Sequence, residues 1–121
     1  MKILDCLHTA ILVSNLEQAQ KFYQGILGLV PVDRALKFPG IWYQVGGYQI
    51  HLIVSPGFQA SLQEEEKWGR NSHIAFSVDD LEALVKRLEA QGYVYQKSAS
   101  GRAALFVRDP DGNVVEVSQS V

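Results

Sequence analysis

One cysteine, one methionine and three histidines stand in a chain of 121 residues. A lone cysteine rules out an internal disulfide, and Cys6 is expected to be a buried, inert thiol. Long apolar runs are also missing: no stretch approaches the roughly 18 residues of a membrane span. Asp5 and His8 interrupt the N-terminal segment, which therefore lacks a signal-peptide core, and the cytoplasm is the expected compartment. The net charge of −2 makes no electrostatic case for nucleic acid or an acidic membrane as partner. The acidic run Glu64-Glu65-Glu66 is followed by Lys67 and Arg70 and reads as a solvated linker. There is no Gly-rich phosphate cradle, and no Ser-His-Asp or Cys-His arrangement is evident. What remains is the composition of one globular domain, 47% apolar and 20% charged.

Against that background the histidines are placed by a rule. His8 and His73 are 65 residues apart (73 − 8), and His51 and Glu116 are 65 apart as well (116 − 51). At the same offset Val13 meets Val78, Leu16 meets Leu81, Glu17 meets Glu82 and Gly47 meets Gly112. Internal repeats of this kind decide a fold before any local reading does. Two copies, about 4–54 and 71–121, describe a pseudo-twofold domain rather than a solenoid. Imidazole and carboxylate are ligands that divalent transition metals favour, so each copy supplies two candidate metal ligands.

The elements repeat too. Residues 6–13 read as a strand. Ser14 is the expected cap of a helix reaching Leu27, with Glu17 three residues on as in a capping box. Strands are expected at 29–34, 41–46 and 48–54, with Gly46-Gly47 as a hairpin turn. A linker runs from Ser55 to Asn71 with a short helical turn around 59–66. In the second copy a strand at 72–78 precedes a helix at 80–91 capped by Asp79, then strands at 93–97, 103–108 and 113–119. Asp109-Pro110-Asp111-Gly112 is a turn between the last two. Each half is therefore βαβββ, and the fold class is α+β.

Strand parity assigns faces. His8 shares a face with Ala10 and Leu12, His51 with Gln49 and Ile53, His73 with Ala75 and Ser77, and Glu116 with Val114 and Ser118. Each candidate ligand lies on the smaller or more polar face, opposite bulky aliphatic residues. A lone strand histidine is most often a structural hydrogen-bonder. A lone inward glutamate is harder to dismiss, because an unpaired buried carboxylate costs several kcal/mol. Four such residues at matched offsets and faces point to a metal on the concave side of a curved sheet.

The opening His8-Thr9-Ala10-Ile11-Leu12-Val13-Ser14-Asn15-Leu16, followed by Phe22-Tyr23 and Leu27-Gly28-Leu29, resembles the vicinal oxygen chelate superfamily, the glyoxalase/bleomycin resistance protein/dioxygenase family. The segments His73-Ile74-Ala75-Phe76-Ser77-Val78-Asp79-Asp80-Leu81 and Asp109-Pro110-Asp111-Gly112-Asn113-Val114-Val115-Glu116 carry the same resemblance. It covers nearly the whole chain. It implies two tandem βαβββ modules forming a cupped mixed sheet around a divalent metal, with His8, His51, His73 and Glu116 on the ligand positions. It implies a homodimer with sites shared between subunits. Glyoxalase I enzymes usually place glutamate or glutamine where His51 stands, a departure here. The set still suits Zn, Ni, Fe, Mn or Co.

The function this resemblance implies is a metal-dependent lyase or isomerase of lactoylglutathione-lyase type, acting on a small oxygen-chelating substrate. The metal would act as a Lewis acid toward a developing enolate, and Glu116 would be both ligand and base. Three other chemistries compete. An extradiol dioxygenase would find its open positions crowded by His51. A fosfomycin-type thiol transferase has threonine where Ala10 stands. A bleomycin-resistance-type binder generally lacks the ligands. Trp42 and Tyr43 point to opposite faces, so one of them can line the cavity. Arg102, in the flexible stretch 96–102, is a candidate for a substrate anion, as are Lys97 and Arg34.

Overall fold

A parallel pair of strands cannot be joined by a tight turn; it needs a crossover, usually helical. Both halves of this chain are built on that constraint. The computed structural model describes residues 1–34 and 37–120. The chain divides into two compact units, Met1–Phe58 and Gln59–Val121. In the first, β1 (His8–Val13) runs parallel to β4 (Tyr48–Val54). The antiparallel strands β3 (Gly40–Val45) and β2 (Val30–Val32) complete a sheet of order β1-β4-β3-β2. The second unit follows the same plan with β5 (His73–Val78), β6 (Tyr95–Lys97), β7 (Ala104–Arg108) and β8 (Val114–Gln119), in the order β5-β8-β7-β6. The fold is thus α+β, two tandem βαβββ modules, each with a mixed four-stranded sheet.

The crossovers are α1 (Leu16–Gln20), which continues as a π-helical turn over Lys21–Ile26, and α2 (Leu81–Ala90). Their apolar faces meet the aliphatic face of each sheet. Phe22, Tyr23, Tyr43, Ile50 and Leu52 are buried in the first unit; Leu88, Leu105, Val107, Val115 and Val117 are buried in the second. On β1 the alternation is visible residue by residue: Ile11 and Val13 are buried, whereas His8, Ala10 and Leu12 are exposed.

Several expected details shift. Both helices are capped one residue later than expected. Asn15 rather than Ser14 accepts the Gln18 N–H at 2.9 Å. Asp80 rather than Asp79 accepts that of Ala83 at 3.1 Å. Such an oxygen satisfies one of the donors a helix start leaves open. The first helix ends as a π turn, in which the Leu27 N–H reaches back to the Phe22 carbonyl at 3.0 Å. The wider turn keeps Phe22, Tyr23 and Ile26 all buried. The linker's helical turn is a 3₁₀ turn at Trp68–Arg70, not at 59–66. Asn71 explains the move. Its Oδ1 accepts the N–H groups of Gln63 (2.6 Å) and Glu64 (2.9 Å), and its amide donates to the carbonyls of Glu64 (2.8 Å) and Trp68 (3.0 Å). Those backbone groups are thus held by a side chain instead of a helix. Cys6 precedes the first strand and is exposed, not buried.

Candidate metal site

Register places the candidate ligands. On the first sheet His8 pairs with Gln49 and Ala10 with His51. On the second His73 pairs with Val114 and Ala75 with Glu116. Each module therefore sets its two candidates as diagonal neighbours on adjacent parallel strands, in one register repeated 65 residues along. The side chains do meet. The rings of His8 and His51 stack with centroids 4.1 Å apart and planes 13° from parallel. His73 Nε2 lies 3.3 Å from Glu116 Oε1, with the two side chains 22% and 14% exposed. Among the described residues no set of three or more His, Cys, Asp or Glu gathers at one point; the residues come together as pairs.

Hydrogen bonds settle the tautomers. His73 Nδ1 lies 2.6 Å from the Asn71 carbonyl oxygen, which can only accept. Nδ1 therefore carries the proton, and in the neutral ring Nε2 offers a lone pair toward Glu116. Two acceptors 3.3 Å apart need a cation between them, either a proton or a metal ion. Bonds of ~2.1 Å at a right angle put adjacent ligand atoms about 3 Å apart, so this pair fits a divalent metal. A backbone carbonyl holding the far nitrogen is also the usual support of a metal-bound histidine.

In the first module the chain of donors starts at another carbonyl. Gln44 Nε2 donates to Gly46 O at 2.8 Å, which leaves Gln44 Oε1 to accept from Gln49 Nε2 at 2.9 Å. Gln49 Oε1 then accepts from His51 Nε2 at 2.9 Å. His51 Nδ1 is thus the nitrogen left for a cation. Burial first, then His8, then the Arg34 guanidinium push His51 below its ordinary pKa. That keeps the ring neutral, as ligation requires.

An aromatic ring faces each inner ligand. Trp42 is directly opposite His51 and stacks on it at 4.1 Å and 7°. Phe106 is directly opposite Glu116 and meets His73 edge-on at 5.6 Å. Parity left Trp42 and Tyr43 undecided, and the structure puts Trp42 on the ligand face. Tyr43 is fully buried on the other face, its ring 6.3 Å from that of Tyr23 and its hydroxyl donating to Gln24 at 3.0 Å. Burial raises its pKa to about 12. It does not line a site. Arg102, expected to take a substrate anion, instead lies with Nη1 3.8 Å from Glu116 Oε2, its side chain 55% exposed. Sequence reading missed Phe106, because the second hairpin is one residue longer between its paired positions (106 to 116 against 42 to 51). It also missed Asn71 as a holder of His73, since a backbone carbonyl leaves no mark in a sequence. The linker adds a cleft of about 550 Å³ beside Trp68 and Arg108, with the Arg108 guanidinium 6.0 Å over the indole.

Comparison with known proteins agrees with this architecture. Residues 6–117 match the model of the Glyoxalase/Bleomycin resistance protein/Dioxygenase superfamily, and the chain belongs to that family. It is 28% identical over 117 residues to glyoxylase I 4 of Arabidopsis thaliana, covering 91% of this chain and 67% of that one. It is 28% identical over 128 residues to the lactoylglutathione lyase of Haemophilus influenzae, covering 93% and 90%. The fold superposes on a glyoxalase family protein from Bacillus anthracis with a TM-score of 0.78 at 22% identity, covering 100% of this chain and 98% of that one.

Proposed function

We propose that the chain is a divalent-metal-dependent lyase or isomerase, similar in chemistry to the lactoylglutathione lyases it resembles. In this reading His8, His51, His73 and Glu116 hold one Zn, Ni, Fe, Mn or Co ion. The carrying observation is the His73 Nε2 lone pair set against Glu116 Oε1 at 3.3 Å with the far nitrogen held by Asn71. The ion, when bound, supplies Lewis-acid polarisation of a substrate oxygen. The rest is the work of the chain's own groups. Glu116 takes a proton from the carbon beside the substrate carbonyl and returns it to the neighbouring carbon. Trp42 and Phe106 flank the ligands with apolar faces that exclude water. Arg102, half in solvent, balances the Glu116 carboxylate before substrate arrives. The functional unit is a homodimer with sites shared between subunits, supported by the exposed ligand-bearing face of β1. It acts on a small molecule in the cytoplasm.

Metal analysis of protein purified without a histidine tag is the first test, with stoichiometric divalent metal expected. A panel of hemithioacetals, catechols, and fosfomycin with glutathione then separates isomerase, dioxygenase and thiol-transferase chemistry. Metal-free protein that binds an antibiotic tightly and turns over none of the panel would replace the enzyme by a sequestering binder.

A further inference from the structure

Beyond the histidines, the ligand face of the first module carries an unsatisfied cation. Arg34 follows β2, and its Nη1 donates to the carbonyls of Phe38 (2.8 Å) and Gly40 (3.3 Å). Its Nε and Nη2 are buried and meet no acceptor. Burying a donor of a charged group without an acceptor is costly, so two on one guanidinium mark a place built for something else. The identity of the two atoms matters. Nε and Nη2 lie along the same edge of the guanidinium, and their N–H bonds run parallel. That is the edge which grips a carboxylate or phosphate with two hydrogen bonds. The third nitrogen, anchored to two backbone carbonyls, fixes how the fork is turned.

The surroundings fit a ligand pocket more than a structural staple. The guanidinium carbon lies 4.9 Å from the Phe38 ring centroid and 5.9 Å from that of Trp42. Trp42 in turn stacks on His51 at 4.1 Å, so the cation continues a line of rings that begins at His8. Phe38 is 46% exposed, a large apolar side chain half in water at the edge of this cluster. The ion pairs formed among the described residues do not include Arg34.

We propose that Arg34 is an oxyanion site: its Nε–Nη2 edge takes two oxygens of a carboxylate or phosphate on a small ligand, with Trp42 as floor and Phe38 as displaceable cover. The site is defined within the first module and needs no metal, so it goes beyond the function proposed above.

The test uses the full chain stripped with EDTA in a Trp68→Phe background. This leaves Trp42 as the sole indole, since the chain has two tryptophans. Indole emission is followed while acetate, inorganic phosphate or neutral acetamide is added at constant ionic strength. Saturable binding of acetate or phosphate, but not acetamide, is expected, and the preferred anion identifies the group. Arg34→Gln should weaken it by about tenfold or more, and Arg34→Lys, which keeps charge but loses the fork, by a similar factor. Phe38→Ala should tighten it. No saturable anion binding, or equal midpoints for the parent and Arg34→Lys, overturns the proposal. Arg34→Lys and Phe38→Ala decide the matter if Arg34→Gln does not fold. Because metal is absent throughout, failure here leaves the metalloenzyme reading standing, and failure of that reading leaves this one.

Discussion

In the first module an indole lies flat on His51 and a second imidazole stacks beyond it; in the second a phenyl ring meets His73 edge-on and the histidine faces a carboxylate. The two pairs occupy the same register on the same kind of strand pair. The two histidines held from behind, His51 and His73, carry opposite tautomers. Gln49 holds His51 by Nε2, while the Asn71 carbonyl holds His73 by Nδ1. The two stand at different positions of the repeat, since His51 corresponds to Glu116 and His73 to His8, so the duplication does not dictate which nitrogen each offers. That choice belongs to whichever acceptor lies behind the ring. The second module sets a histidine against a carboxylate, and the first sets two imidazoles against each other under an indole.

Substitutions can break this division of labour, and the largest effect is expected in the second module. Under the proposed function, Glu116→Gln keeps the shape and part of the metal affinity but removes the proposed base. Turnover of a hemithioacetal should fall on the order of 10²–10⁴-fold, and full activity in that variant refutes the role. Next comes the contrast between the histidines. His73→Gln should lower metal affinity by at least the ~10–100-fold that even supporting residues are worth. His51→Gln should lose less, since lyases of this family usually carry glutamine or glutamate at that position. Metal titration of both variants settles the order, and a larger loss at His51 reverses the comparison.

A third prediction concerns pH. Burial holds the Tyr43 phenol up to about 12, against ~10 in an unfolded chain. The folded state therefore binds this proton more tightly. The resulting stability is complete below the unfolded value and is lost as pH climbs toward 12. Urea midpoints of the parent should drop across that window more steeply than those of Tyr43→Phe, which has no phenol to ionise. Parallel curves for the two proteins count against the burial argument. The smallest effect tests equivalence rather than difference. Asn15→Ala and Asp80→Ala each remove one cap oxygen and should each cost about 1 kcal/mol. Unequal losses in thermal unfolding would show that the two crossovers do not bear equal weight.

Much of this was readable before any coordinates. The 65-residue repeat of His8/His73 and His51/Glu116 anticipated a repeated register, because period-two strands turn a sequence offset into a matched face. Core positions such as Val13, Leu52 and Val115 followed from the same alternation. Other features were beyond its reach. Ser14 and Asn15 are both good caps, as are Asp79 and Asp80, and local chemistry cannot choose between adjacent candidates. Trp42 and Tyr43 each suit a cavity wall; only cross-strand pairing with His51 selects Trp42. Phe106 escaped notice because one extra residue in its hairpin breaks the offset.

The sequence by itself determined the duplicated βαβββ plan, the aliphatic face of each sheet and the two residues each module places as candidate ligands. Those follow from periodicity and from residue type, which are local properties. Tertiary structure alone decided which imidazole nitrogen is left open, which aromatic faces each ligand, and that the Arg34 fork is sealed without an acceptor. The acceptors behind the imidazoles sit only two residues away, Asn71 for His73 and Gln49 for His51. Yet which atom meets which nitrogen is set by backbone and rotamer geometry that residue type does not specify, and the facing rings come from the neighbouring strand. Those cross-strand contacts exist only once the strands have paired.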